Sequence, residues 1–304
     1  MSEGRGARDR TPTVLVVGAA SRDITADDPR GWRLGGAVTY GSLMLARLGL
    51  RVRALIGTDR EAAAGRELEV LRRAGVDVVP IPLASGPVFE NIERPDGRRQ
   101  HCLSAADPLE PAMLPPDWRN NDAVFLGPVA GELPPAWGWV SAPLVALGWQ
   151  GLLRRLVPGS DVGRVAPGPG PLLAAADVVG VSSDDIDQHV RLSKLVDLVR
   201  PGATVIVTRG DRGGTALVSR RPARSVVRAY SAIPSNGVVD ATGAGDVFLA
   251  AFLAATVDGA RLGVDDLAAR LTFAAGAGSL AVERPGIDGV PSFEEIRRRI
   301  ADVS

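Results

Sequence analysis

Short apolar runs alternate with helix-patterned segments along most of this chain, and no other feature restricts its fold as strongly. Thr13 to Gly18 is an apolar run closed by glycine, the pattern of a buried strand. Val38 to Leu48 then reads as a helix stopped by Gly49, Arg51 to Ile56 as a strand, Glu61 to Arg73 as a helix ended by Ala74-Gly75, and Val76 to Leu83 as another strand. The alternation resumes with a strand at Val178-Val179, a helix from about Asp185 to Val199, a strand from Ala203 to Thr208, and helices after Gly245, Val264 and Ser292. Strands separated by helices need crossover connections. The expected fold is therefore α/β, a mainly parallel sheet with helices on both faces.

Two segments interrupt the rhythm. Pro87 to Arg94 and Arg98 to Leu103 flank Pro95-Asp96-Gly97, and Asp-Gly between strand-like runs signals a hairpin, here one that would project as a flap. Leu126 to Pro171 is rich in Pro, Gly and Trp, yet Leu144 to Leu147 inside it is apolar, so it reads as loops around a strand and not as a domain boundary. There is no repeat of fixed period. Residues 1–12 read as a flexible tail and 13–304 as one domain.

Composition narrows the partners. Lys+Arg and Asp+Glu both number 35, which leaves no global field to gather nucleic acid or an anionic membrane and favours a small molecule. Cys102 is the only cysteine, which excludes an internal disulfide and any multi-cysteine metal site and suits a reducing compartment. The N-terminal tail has no apolar signal core, and apolar runs such as Val247 to Val257 are too short to cross a bilayer. The expectation is a cytoplasmic protein.

The chemistry concentrates in Gly237-Val-Val-Asp-Ala-Thr-Gly-Ala-Gly-Asp246, which runs directly into the apolar segment Val247 to Ala255. Glycines before a buried helix let backbone N–H groups converge where the helix dipole is positive, forming an anion cradle. A carboxylate at Asp246 can accept a hydroxyl proton while those amides hold an anion. The plainer alternative is a tight loop that needs glycine, with Asp246 as a carboxylate in the first helical turn. A dinucleotide fingerprint would need glycine at position 248, where Phe248 stands. A P-loop needs Gly-Lys-Ser/Thr, and the only lysine is Lys194, between Ser193 and Leu195. His101, in the expected hairpin, and His189, in the expected helix of 185–199, stand in no recognisable catalytic or zinc motif.

Asp240-Ala-Thr-Gly-Ala-Gly-Asp246 with its apolar helix resembles the C-terminal signature of ribokinase-like, or phosphofructokinase B, carbohydrate kinases. Arg33 to Ser42, leading into Ala46-Arg47-Leu48-Gly49, resembles the di-glycine motif of that family. Gly18 to Asp23 resembles its substrate-binding loop, Val205 to Gly213 its nucleotide-side strand and loop, and Val282 to Gly286 its tail. The matches follow the family's order from about residue 13 to 300. The resemblance implies a three-layer sandwich with a small β lid formed near 31–41 and 86–104, and transfer of the ATP γ-phosphoryl group to an alcohol with magnesium. It implies Asp246 as general base, with Gly243, Ala244 and Gly245 as amide donors. Asp23, Gly35, Gly36 and Tyr40 would face the acceptor, joined by Gln150 and Arg154 and, from the lid, by Glu90, Asn91 and Arg98. Thr208, Gly210, Gly213 and Ala275 would line the ATP site. Asp240 and Thr242 fall where relatives form a monovalent-cation site, taken by K+. A homodimer through the lid is a further expectation of the resemblance.

Two departures stand out. The family's Asn-x-x-Glu motif is Ser182-Ser183-Asp184-Asp185 here, so Asp185 keeps a carboxylate one methylene shorter for the indirect handling of magnesium, and Ser182 doubles as an N-cap. Tyr40 replaces the asparagine usual after the di-glycine, which turns the expected acceptor from ribose toward another sugar, polyol or cyclitol. A nucleoside kinase, and a catalytically silent nucleotide-binding regulator, are the alternatives.

Overall fold

The structure, a computed structural model, describes residues 10–94, 97–220 and 224–303, with the side chains of 93, 94, 97, 98 and 224 also outside the description. Most of the expected tail and the Pro95-Asp96 turn thus lie outside the described residues. In chain order the strands are β1 (Thr13–Ala19), β2 (Arg22–Ile24), β3 (Trp32–Leu34), β4 (Arg51–Thr58), β5 (Asp77–Pro82), β6 (Val88–Arg94), β7 (Gly97–Ser104), β8 (Ala123–Leu126), β9 (Val145–Gly148), β10 (Arg154–Arg155), β11 (Ser160–Asp161), β12 (Gly163–Arg164), β13 (Val178–Ser182), β14 (Thr204–Thr208), β15 (Gly214–Arg220) and β16 (Arg224–Tyr230). The helices are α1 (Ala37–Arg47), α2 (Arg66–Arg73), α3 (Pro171–Ala175), α4 (Leu192–Leu195), α5 (Ala244–Val257), α6 (Gly259–Leu262), α7 (Leu267–Ala281) and α8 (Phe293–Ala301).

The central sheet has 9 strands in the order β16-β15-β14-β13-β9-β8-β1-β4-β5. Every neighbouring pair from β14 to β5 is parallel, and β15 and β16 add an antiparallel edge. Alternate residues of each strand feed two separate cores. Val14 and Val16 join α1, α5 and α7 on one face, whereas Leu15 and Val17 join Trp118, Trp137 and Trp149 on the other. Helix α5 is buried from Val247 to Ala255, which explains why its sequence is apolar all round and not striped.

The second face carries helices as expected, but only short ones. Its cover is built from short 3-10 turns at Pro111–Met113, Pro116–Trp118 and Pro135–Trp139 and from the two short helices α3 and α4. Proline has no N–H to continue a helix, so this Pro-rich stretch fills space with tryptophan in place of helical packing. Trp137 is fully buried and donates its indole N–H to the Leu109 carbonyl at 2.6 Å.

The helix expected over 185–199 also fails to form as one piece. Ser182 Oγ accepts the Asp184 N–H at 3.2 Å and Asp187 Oδ1 accepts the His189 N–H at 2.8 Å, local bonds that compete with the helical ladder. Ile186 is extended (φ −107°, ψ 136°), so only α4 and flanking 3-10 turns remain, and His189 sits in a turn. Likewise the helix expected from Glu61 to Arg73 is cut at Gly65, whose ψ of 130° is extended, leaving a 3-10 turn and α2.

A second sheet of 5 strands, β11-β7-β6-β2-β3, stands over the carboxyl edge of the first. The β6–β7 hairpin forms as expected. Two features of this lid were not foreseen: β2 contributes a strand, and β11 arrives from the segment after β9 to pair with Cys102 and His101. Residues 37–41, assigned to the lid from sequence, belong to α1.

Candidate active site

Parallel strands end on one side of a sheet, and loops leaving the carboxyl ends of β1, β9, β13 and β14 surround a cleft of about 860 Å³ under the lid. The N-terminus of α5 forms its floor. Gly243, the residue before the helix, has φ 78°, a left-handed conformation that other residues adopt only with strain. This turn aims the first amides of α5 into the cleft. The N–H groups of Gly243, Gly245 and Asp246 donate to no acceptor among the described residues, whereas the Ala244 N–H closes a turn onto the Ala241 carbonyl at 3.3 Å. Ala244 lines the cleft but its amide is already engaged, which leaves its neighbours' amides as the available donors.

Asp246 lies in the first turn of α5, half-buried in the cleft. Loss of water around it pushes its carboxyl up to about 7; Arg154 opposes this, while Asp185 and Asp23 push the same way. The groups that act on Asp246 in this space are thus two further carboxylates and the Arg154 guanidinium.

At the β2 end of the cleft, the Asp23 carboxylate accepts from Ser21 Oγ at 3.1 Å. Both glycines of the di-glycine are needed for space: a Cβ on Gly35 would stand 2.2 Å from Asp23 Oδ2, and one on Gly36, whose φ is 90°, would stand 2.6 Å from the Ala19 carbonyl. Tyr40 is 3% exposed and lines the cleft; burial, reinforced by Asp23, Asp240 and Asp246, holds its hydroxyl protonated. Asn91 lines the cleft and accepts from Gln100 Nε2 at 3.2 Å. Strand alternation puts Phe89 and Asn91 on the cleft face and Glu90 off it, so Glu90 does not line the cleft as expected. The side chain of Arg98 lies outside the described residues.

Gln150, expected to touch the acceptor, lines the cleft and gives its amide to Asp185, Nε2 to Oδ2 at 3.2 Å and to Oδ1 at 3.3 Å. Burial raises the Asp185 carboxyl, and Arg154, Gln150 and Arg164 act against it. Ser182, Thr208 and Gly210 line the far wall, with Thr208 Oγ1 donating to the Val181 carbonyl at 3.4 Å. Gly213 does not line it. Its φ of 75° turns the chain into β15, and a Cβ there would lie 2.2 Å from the Tyr230 carbonyl. Ala275 is 7% exposed within α7 and belongs to the core, away from the cleft lining.

Thr242 lines the cleft just before the turn into α5, and Asp240 sits behind it. Asp240 Oδ1 accepts the Thr242 N–H at 2.9 Å, Oδ2 accepts the Gly286 N–H at 3.1 Å, and Arg33 of β3 stands 3.8 Å from Oδ2. The carboxylate ties the cradle to the tail segment, and a guanidinium supplies positive charge where the sequence reading placed K+.

Sequence reasoning missed several residues. Glu132, 1% exposed, accepts the N–H groups of Ala19 at 2.8 Å, Val129 at 3.1 Å and Ala130 at 2.8 Å, which locks the loops after β1 and β8 together. Arg99, Gln100, Asp161 and Arg164 reach the cleft from β7, β11 and β12. Their signal was weak, because Ser160 to Arg164 is a polar stretch between Pro158 and Pro167 that reads as loop.

Residues 174–292 match the family model described as pfkB family carbohydrate kinase. Among solved structures the chain is similar to a pyrophosphate-dependent kinase in the ribokinase family complexed with a pyrophosphate analog and myo-inositol, at 21% identity over 94% of this chain and 99% of that one, TM-score 0.73. The chain has the ribokinase fold. It is also similar to Arabidopsis thaliana ribokinase complexed with ribose and ATP (21% identity, 96% and 99% covered, TM-score 0.69). A third ribokinase-fold relative is the Methanocaldococcus jannaschii nucleoside kinase (16% identity, 96% and 99% covered, TM-score 0.68). No curated protein sequence matches the chain. Among the described residues of this ribokinase-fold chain, no helix is long and apolar enough to cross a membrane.

Proposed function

We propose that this chain is a kinase that moves the γ-phosphoryl group of ATP onto a hydroxyl of a small sugar, polyol or cyclitol. The observation that carries the reading is Asp246, a carboxylate raised to about 7 and placed beside amides of the α5 N-terminus that have no acceptor among the described residues. A group with that proton affinity is half-ionised near neutral pH and can take a hydroxyl proton, while the amides neutralise charge on the phosphoryl oxygens. Phosphoryl transfer asks the protein mainly for positioning and charge. Asp23, Tyr40 and Asn91 supply donors and acceptors for a polyhydroxylated acceptor, and Ser182, Thr208 and Gly210 line the donor wall.

Magnesium shared with phosphates asks for one or two carboxylates, the remaining ligands being water and phosphate oxygen. Asp185, held by Gln150 on the cleft wall, offers such a hard oxygen, with Asp184 beside it. When bound, the ion would neutralise the bridging and terminal phosphate oxygens. Asp185 would hold its water shell, and Gln150 would orient Asp185.

A second donor is favoured by one finding: a solved structure similar to this chain over 94% of its length is described as pyrophosphate-dependent. The deciding experiment measures phosphoryl transfer from ATP and from pyrophosphate to a panel of sugars, polyols, cyclitols and nucleosides. Acceptor-dependent consumption of ATP that stops when Asp246 is replaced supports the reading. Consumption of pyrophosphate alone reassigns the donor, and transfer only to nucleosides reassigns the acceptor. No acceptor-dependent consumption of either donor leaves a nucleotide-binding protein and overturns the kinase.

A further inference from the structure

Strands β10 and β12 form a two-residue antiparallel ladder in which Arg154 stands directly opposite Arg164, and Arg155 opposite Gly163. Like charges directly opposite on a ladder are destabilising, so folding alone gives no reason for this pair. Both arginines line the cleft. Among the described residues neither guanidinium forms an ion pair. Arg154 makes a single hydrogen bond, Nη1 to the Val129 carbonyl at 3.4 Å, and lies over the Phe89 ring at 5.6 Å; Arg164 makes none. Most of the N–H donors of the two planar forks therefore have no protein acceptor among the described residues, and both side chains line the cleft.

The pair is also positioned. Val129, whose carbonyl holds Arg154, is itself fixed by the buried carboxylate of Glu132. The carboxylates that act on Arg154 are, in falling order, Asp185, Asp246, Asp23 and Glu132, and Arg164 acts on Asp185 as well. None of them contacts the pair closely enough to form an ion pair. A guanidinium fork matches the oxygens of phosphate or carboxylate, and two forks side by side suit a tetrahedral dianion better than a single carboxylate.

We propose that Arg154 and Arg164 form a two-arginine clamp for a phosphate-like dianion, separate from the amide cradle of α5 and beside Asp246. On the kinase reading, on which this assignment of the ligand rests, the dianion is either the phosphoryl group in transfer or a phosphate already carried by the acceptor. Binding of the dianion itself does not depend on that reading.

The test uses the full chain and inorganic phosphate, titrated calorimetrically at low salt into wild type, Arg154→Met, Arg164→Met and Arg155→Met, each checked for an unchanged circular dichroism spectrum and melting temperature. Methionine keeps the apolar stem and removes the charge. Arg164 is exposed, so its variant should fold even if Arg154→Met does not. Phosphate should bind at least about tenfold more weakly to the Arg164 and Arg154 variants, as expected for losing charge-assisted hydrogen bonds. It should bind normally to Arg155→Met, whose side chain is absent from the cleft lining. Turnover then separates the sources. A fall in kcat with neutral polyols assigns the clamp to the transferred phosphoryl group, and a raised KM confined to phosphorylated sugars assigns it to the acceptor. Weakened phosphate binding without any turnover in wild type keeps the clamp and removes the kinase. Equal weakening by Arg155→Met, or wild-type phosphate affinity in Arg164→Met, overturns the clamp.

Discussion

The ring of Tyr40 lies against Gly243 so closely that a Cβ on Gly243 would stand 2.5 Å from its ring carbons. Helix α1 thereby braces the turn that opens α5, although the two residues are far apart in sequence. Gly243→Ala meets two obstacles, the ring and a backbone φ of 78°. A non-glycine residue in a sparsely populated backbone region costs about 1 to 3 kcal/mol, and the displaced turn misdirects the cradle amides. Urea unfolding should show a loss of that size, and kcat should fall more than KM. Unchanged stability and turnover would mean the turn relaxes without consequence for the cradle.

Asp246→Asn separates catalysis from stability. General-base catalysis contributes about 10² to 10⁴ in rate, so kcat should drop by at least about a hundredfold while ATP binding persists. In the wild type the folded carboxyl titrates at about 7 and the unfolded one at the ordinary 3.8. The folded state therefore binds the proton more tightly, and wild-type stability declines as pH rises from about 4 to 7. Asparagine removes that decline. At pH 8 the variant should be more stable by about 1 to 2 kcal/mol, less than the full shift implies because cleft water reaches the carboxylate. The gain should vanish near pH 4. A melting temperature below wild type at pH 8 would contradict the burial argument, and turnover within a few-fold of wild type would remove Asp246 as the base.

Asp23 and Gly35 should behave as one unit, because a Cβ on Gly35 would occupy the place of the Asp23 carboxylate at 2.2 Å. A hydrogen bond to a charged group is worth about 1.5 to 3 kcal/mol. Asp23→Ala and Gly35→Ala should each raise the acceptor KM about tenfold or more with little change for ATP. Equal effects on both substrates would place Asp23 outside the acceptor pocket.

Asp185→Ala should raise the magnesium concentration needed for half-maximal rate more than it raises the acceptor KM, and Gln150→Ala should do the same more mildly, since Gln150 acts through Asp185 at 3.2 Å. Magnesium titrations of both variants check the order. Full activity of wild type in excess chelator would end the metal-assisted reading.

With Arg33 at 3.8 Å and two backbone N–H groups already on Asp240, the carboxylate has its positive partners within the protein. Turnover should be the same in potassium and in tetramethylammonium salts of equal ionic strength. A clear potassium activation would show that Asp240 still takes a monovalent cation.

Features that depend on neighbours along the chain were legible from the outset. Apolar runs marked β1, β4 and β14, the Asp-Gly signal marked the β6–β7 hairpin, and Gly243 to Asp246 marked the opening of α5, because periodicity and permitted φ are local properties. Packing decided what lay beyond that range. Tryptophans on Pro-rich turns, with only two short helices, cover one face of the sheet; Gln150 came to hold Asp185; and Ala275 went into the core. Arg154 and Arg164 were brought face to face by a ladder of two residues too short to leave a pattern. A residue's type states which chemistry it can do, but which charges share one cleft is set by contacts between distant segments. Those contacts exist only once the sheet has closed its strands into a single carboxyl edge.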